Sequence, residues 1–269
     1  MTLARATAPR VWSRYVAIGD SFTEGLCDLN PHHPDRYAGW ADRLAAHLAG
    51  IAEAGGVPLH YANLAVRGRL LQDVVGPQLD AALTLGPDLV SIVGGGNDIL
   101  RNHTDVDVLA QRLEGAVAAI RATGADVLMA TPVDPKDAPF IRRTRSRVAA
   151  YAADIWGIAN RYRCHVIDQW GLRALRDWRM WAEDRIHLSS EGHRRVALAA
   201  LDALGHPTDV SEWRVPLEPL PPVPRYRQLA ADTRWVGTHL APWLARRVRG
   251  RSGGAQFQAK HDAFIHVAG

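Results

Sequence analysis

Cysteine is nearly absent from this 269-residue sequence, which has only Cys27 and Cys164. Two thiols this far apart give neither a metal-ligand spacing nor a disulfide framework. Buried free thiols are expected, and with them a cytoplasmic location. Long apolar runs are missing too. No stretch reaches the ~18 residues that a membrane-spanning helix needs. The opening, Met1-Thr2-Leu3-Ala4-Arg5-Ala6-Thr7-Ala8-Pro9-Arg10, has no apolar core of signal-peptide length. Residues 1–210 contain no internal repeat and no low-complexity tract, which sets aside repeat architectures.

What remains is the composition of an ordinary globular protein, 47% apolar and 22% charged. The length fits one large domain or a domain with an appendage. The formal charge of +4 is unevenly placed. Residues 1–210 carry 23 Lys/Arg against 24 Asp/Glu, whereas residues 211–269 carry 9 against 4. The basic character belongs to the C-terminal segment.

Along the chain, short β-prone runs alternate with helical spacings. Tyr15 to Ile18 reads as a buried strand. Tyr37, Trp40, Leu44, Leu48 and Ile51 mark one face of a helix that stops near Gly55-Gly56. Leu59 to Leu64 is a second strand, followed by helix from Leu70 to Leu79, up to or around Pro77. Asp88 to Val93 is a third strand. Asp105 is an N-cap for a helix with Leu109, Leu113, Val117 and Ile120 on one face, and Gly124 suits its C′ position. Asp126 to Thr131, broken by Pro132, is a fourth strand. Val148, Tyr151, Ile155, Ile158 and Tyr162 mark the next helix, and Cys164 to Asp168 is a fifth strand. Ser189 or Ser190 caps a last helix that ends at Gly205. Five strands alternating with helices predict a five-stranded parallel sheet in a three-layer α/β/α sandwich over residues 1–210. Residues 211–269 read as a Pro-rich linker and a basic amphipathic extension.

Parallel strands bring their exits to one edge, where open α/β sheets bind ligands. Here the exits offer Gly19-Asp20-Ser21, then Asn63 to Gly68, then Gly94-Gly95-Gly96-Asn97-Asp98. Asp184-Arg185-Ile186-His187 stands just before the last helix. Each block alone has a plainer reading: Asp20 and Ser21 as helix caps, Gly68 as a turn glycine, Asn97 as a cap, His187 as a surface or packed histidine. Asp98 reads as a cap or a support for its loop, and His193 as structural. The pair His32-His33 has no partner at metal spacing.

Together and in order, these blocks resemble the SGNH/GDSL hydrolase superfamily, with Ser21, Gly68, Asn97 and His187 as its four letters and Asp184 completing Asp-x-x-His. The resemblance spans about residues 12–204. It implies a flavodoxin-like α/β/α fold and hydrolysis of an ester or thioester through an acyl-serine, with no metal or organic cofactor. Phe22 departs from the leucine that usually follows Gly-Asp-Ser. The pattern looks closer to bacterial single-domain esterases than to plant lipases. The chemistry is coherent. A serine hydroxyl needs a base, His187 can take and return its proton, and Asp184 can fix the imidazole tautomer. The N–H groups of Ser21 and Gly68 and the Asn97 amide can hold an oxyanion.

Substrate choice is expected in loops Leu26–Arg36, Ile99–Thr104, Pro132–Arg143 and Gln169–Glu183. The last of these holds Trp170, Trp178 and Trp181. No large inserted lid is evident, which favours small or short-chain esters. Arg142 and Arg143 read as a solvated face. In the tail, Trp235 and Trp243 among Arg234, Arg246, Arg247, Arg249 and Arg251 suit either docking onto the domain or peripheral contact with an anionic membrane; nucleic acid is not expected. Rival readings are an acyl- or acetyl-transferase or a carbohydrate deacetylase on the same residues, and a non-catalytic binding module that uses the tail.

Overall fold

The computed structural model describes residues 10–30, 33–101, 103–138, 140–221, 224–240 and 257–268. Its centre is a sheet of six strands: β1 (Arg14–Gly19), β2 (Leu59–Asn63), β3 (Leu89–Val93), β4 (Asp126–Ala130), β5 (His165–Ile167) and β6 (His261–Val267). Their spatial order is β5-β4-β3-β1-β2-β6. The first five are parallel, in the order 2-1-3-4-5 of flavodoxin-like sheets. The sixth strand corrects the expected count. β6 runs antiparallel along the free edge of β2, with Tyr61 opposite Ile265. It hides an edge that would otherwise expose unpaired backbone groups.

β1 shows why the sheet is covered on both faces. Tyr15 and Ala17 enter one core with Trp40, Leu44 and Leu48 of α2 (Gly39–Ala54) and Val196 and Ala200 of α7 (Ser190–Ala203). Val16 and Ile18 enter the other. That second core holds Leu71 and Val74 of α3 (71–84), Leu113 and Val117 of α5 (Val106–Ala122), and Ile155 and Ile158 of α6 (Arg145–Tyr162). A strand buried on both sides reads as a continuous apolar run, and this one does.

The caps behave as their side chains dictate. Asp105 accepts from the N–H groups of Asp107 and Val108, and Ser189 from that of Gly192. α3 covers the expected span, crosses Pro77 and extends beyond the expected end at Leu79. Proline lacks an N–H and its ring pushes away the carbonyl four residues back. The chain absorbs this with a π-helical turn at Val74–Gln78 and continues to Thr84. After α8 (Val210–Arg214), the proline-rich stretch leads to α9 (Arg225–Trp235). Lys260 anchors the last strand: its Nζ donates to the Tyr37 carbonyl and to Asp42 Oδ2, each at 2.7 Å. Most of the tail's basic cluster, Trp243 included, lies outside the described residues. Among the described residues, no helix is long and apolar enough to cross a membrane.

Candidate active site

β1 ends at Gly19, where a Cβ would meet the Val93 carbonyl of the neighbouring strand at 2.7 Å. Only glycine lets the two strand ends come this close. Gln78, swung round by the π-turn, closes a pair of hydrogen bonds on Gly19. Its Oε1 accepts from the Gly19 N–H at 2.8 Å and its Nε2 donates to the Gly19 carbonyl at 3.0 Å. The chain then turns through Asp20 into the single-turn helix α1 (Ser21–Glu24). Asp20 caps that turn, accepting from the Phe22 N–H at 3.1 Å. Burial, the leading influence, lifts its carboxyl to about 6.

Ser21 and His187 lie 166 positions apart in sequence, yet His187 Nε2 stands 3.1 Å from Ser21 Oγ. On the far side of the ring, Nδ1 is 2.6 Å from Asp184 Oδ2. The other carboxylate oxygen, Oδ1, accepts from the backbone N–H groups of Ile186 and His187, each at 3.0 Å. Burial works against charge on both partners. The hydrogen bond between them and their mutual attraction prevail, so Asp184 falls to about 2 and His187 rises to about 9. The result is an ion pair in line with a serine hydroxyl.

The second and third strand exits meet beside it. Gly68 occupies a turn at φ 74°, in the left-handed region. Asn97, in α4 (Gly96–Ile99), points its amide between the blocks. Nδ2 donates to the Arg69 carbonyl at 3.0 Å and to Asp20 Oδ2 at 3.2 Å. It thereby ties the residue before Ser21 to the residue after Gly68. Asp98 is a support, as the sequence suggested, with Oδ2 accepting from the Leu71 N–H at 2.9 Å.

Several contributors escaped the sequence reading. Glu24 is buried and accepts from both the N–H and the guanidinium of Arg67, so the stretch that carries Ser21 also holds the loop that carries Gly68. Asp28, buried, is gripped by Arg43. Both acids lie in or just after the Gly-Asp-Ser stretch, but their partners depend on which helix packs where. Cys27, expected to be buried, is instead exposed, because φ 76° turns it out at the rim of the site, with Sγ 3.9 Å from Asp184 Oδ2. With His187 it forms a thiol, carboxylate and imidazole set whose atoms lie within 4.8 Å of one another. Zinc favours such donors, although here the carboxylate and imidazole already bond to each other.

His193 is structural, as expected. It is buried, its Nδ1 accepts from the Trp40 N–H at 3.2 Å, and its ring stacks on Phe22, which also stacks on Trp40. Arg142 and Arg143 are exposed. His32 and the side chain of His33 lie outside the described residues.

Next to this constellation lies an apolar cavity of about 270 Å³. Asp20, Phe22, Gly96 and Ile186 line it, each adjacent in sequence to a residue of the site. The far wall comes from loops 132–144 and 169–186, including Phe140, Ile141, Trp178 and Trp181. Buried Asp134 braces the two loops, accepting from Arg145 Nε at 2.7 Å and Arg176 Nη2 at 2.6 Å.

The model of the GDSL-like lipase/acylhydrolase family matches residues 17–195. Among solved structures, LAE5, an alpha/beta hydrolase enzyme from the metagenome of Lake Arreo, Spain, is 25% identical, with a TM-score of 0.61 over 72% of this chain and 95% of its own. TesA is 23% identical, with a TM-score of 0.57 over 71% of this chain and 98% of its own. Axe2, an acetylxylan esterase from Geobacillus stearothermophilus, is 20% identical, with a TM-score of 0.57 over 72% and 95%. The last two are likenesses of fold. No curated protein matches the chain.

Proposed function

The chain belongs to the GDSL-like lipase/acylhydrolase family and is an ester-hydrolysing enzyme, and we propose that it works through an acyl-serine on Ser21. Ser21 Oγ attacks the ester carbonyl while His187 Nε2 takes its proton. Asp184 holds the ring and stabilises the imidazolium that forms. The tetrahedral oxyanion is held by the N–H groups of Ser21 and Gly68 and by the Asn97 amide, which exchanges its longer contact to Asp20 for the substrate oxygen. Loss of one such donor raises the barrier by about 3–4 kcal/mol. His187 then gives its proton to the leaving alcohol, and the same groups activate water for deacylation.

The observation that carries this reading is the continuous line Asp184 Oδ2, His187 Nδ1, His187 Nε2, Ser21 Oγ, with links of 2.6 and 3.1 Å. The substrate is a small-molecule ester whose apolar part enters the neighbouring cavity. That cavity has room for more than an acetyl group, so short-chain esters extend naturally to chains of several carbons. A second reading, removal of acetyl groups from a carbohydrate, draws on Trp178 and Trp181 in the cavity wall, since flat aromatic surfaces suit sugar rings.

Fluorophosphonate labelling with peptide mapping, beside turnover of p-nitrophenyl esters, tests the mechanism. The expected result is an adduct on Ser21 and loss of turnover in both Ser21→Ala and His187→Ala. A folded protein that takes no adduct on Ser21 would overturn it. Turnover of acetylated oligosaccharides far above that of p-nitrophenyl esters would favour the carbohydrate reading.

A further inference from the structure

The turn that carries Asp184 and His187 reverses direction at Arg185, whose φ of 54° is left-handed. A residue with a side chain is disfavoured there, because Cβ crowds the following carbonyl; glycine is the easy occupant. The reversal has a purpose. It folds the backbone N–H groups of Ile186 and His187 back onto Asp184 Oδ1. It also closes a narrow loop in which the Ala182 N–H donates to the His187 carbonyl at 2.8 Å.

Arg185 is held in this conformation from outside the turn. Its guanidinium lies between two indole rings, 5.4 Å from the centroid of Trp178 and 5.0 Å from that of Trp235. Its Nη1 donates to Asp232 Oδ1 at 2.7 Å. Trp235 is itself buried and packs against Phe140, with ring centroids 5.0 Å apart. Two of these three guanidinium contacts come from α9, whereas the family match ends at residue 195.

We propose that α9 completes the active site: through Asp232 and Trp235 it clamps Arg185 in its left-handed conformation and so fixes the Asp184–His187 pair against Ser21. Arg185 touches none of the reacting atoms and is a positioning residue. The proposal rests on the Ser21–His187–Asp184 reading above. It gives the C-terminal extension a task in catalysis as well as in the sheet.

The test uses the full chain, because truncation would also remove β6. In Asp232→Asn and Trp235→Ala, kcat should fall roughly five- to thirty-fold, the population change set by one disfavoured left-handed residue, with KM little altered. In Asp232→Asn the loss should be equal on acetyl and octanoyl esters, since Asp232 does not line the cavity; Trp235 packs on Phe140 of the cavity wall, so the chain-length comparison is made on Asp232→Asn. Adding Arg185→Gly to Trp235→Ala should restore most of kcat, because glycine adopts φ 54° without the steric cost that the clamp offsets. Melting curves establish that each variant is folded; should Trp235→Ala not fold, Asp232→Asn with and without Arg185→Gly carries the same comparison. In Asp232→Asn, a loss confined to the octanoyl ester or expressed in KM would overturn the proposal, as would a double variant no better than its single. Ser21→Ala runs beside them. If it keeps its turnover, the triad reading fails. If it is inactive while the clamp variants match the parent, only the clamp fails.

Discussion

Asp184→Asn isolates the most consequential interaction at the site. The imidazole of His187 sits at about 9 against an ordinary 6.5. That gap corresponds to about 3.4 kcal/mol of preference for the imidazolium. Burial opposes it, so the preference must come from the partners, with the Asp184 hydrogen bond foremost. Two consequences follow, and their signs differ. The pair stabilises the folded chain fully between pH 3.8 and 6.5; the His187 contribution is lost as pH rises through 9 and the Asp184 contribution as pH falls through 2. The proposed mechanism needs the opposite state, because only neutral imidazole can accept the Ser21 proton. In the free enzyme, kcat/KM should therefore climb with pH and level off above about 9. Replacing Asp184 by asparagine removes the anion and leaves the burial. The inflection should fall to 6.5 or below. The plateau should drop by about 10⁴-fold, because an amide no longer selects the productive tautomer. The assay is the pH dependence of kcat/KM on a short p-nitrophenyl ester, with an NMR titration of His187 in a Ser21→Ala background as its equilibrium counterpart. A variant whose inflection stays near that of the parent would refute the argument that Asp184 governs the charge on His187.

Three further outcomes follow from the geometry. Glu24→Gln loosens the Arg67 contacts that hold the Gly68 loop; it should cost about 2–3 kcal/mol, below the range for fully buried pairs because Arg67 is partly exposed. Denaturant unfolding reads that loss, and kcat should fall alongside it. Gly95→Ala should destabilise by more than about 1 kcal/mol, since φ is 96° and a Cβ would lie 2.8 Å from the Tyr151 ring, which packs against the Asn97 loop. Thermal melting measures this, and an unchanged midpoint would contradict it. Across p-nitrophenyl esters from acetyl upward, kcat/KM should rise by up to about four-fold per methylene, the equivalent of ~0.8 kcal/mol per buried CH₂. The rise should stop once the cavity is full, whereas a flat series would separate the cavity from the acyl chain.

The sequence by itself determined the five parallel strands and the helices between them, because strands buried on two faces and helices buried on one leave unmistakable apolar periods. Its capping residues, Asp105 and Ser189, and its breakers, Gly124 and Pro132, set the boundaries through local chemistry. It also pointed to Ser21, Gly68 and Asn97 at exits that parallel strands deliver to one edge, and to Asp184 and His187 through the resemblance of the ordered blocks to a known family. Tertiary structure decided what depends on contacts between distant segments. β6 is a seven-residue edge strand with several exposed positions, and only its pairing with β2 distinguishes it from tail. Pro77 leaves the end of its helix open in the sequence, and the packing of Leu71, Val74 and Leu79 in the core carries it on to Thr84. Gln78, Glu24 and Arg67 brace the site through partners that no local pattern announces. Arg185 has no unusual sequence context; its left-handed backbone and the indoles around it arise only when α9 folds back on the Asp184–His187 turn. Local physics writes periodicity and caps into neighbouring residues, whereas a buried ion pair or a clamp exists only once separate elements have been brought together.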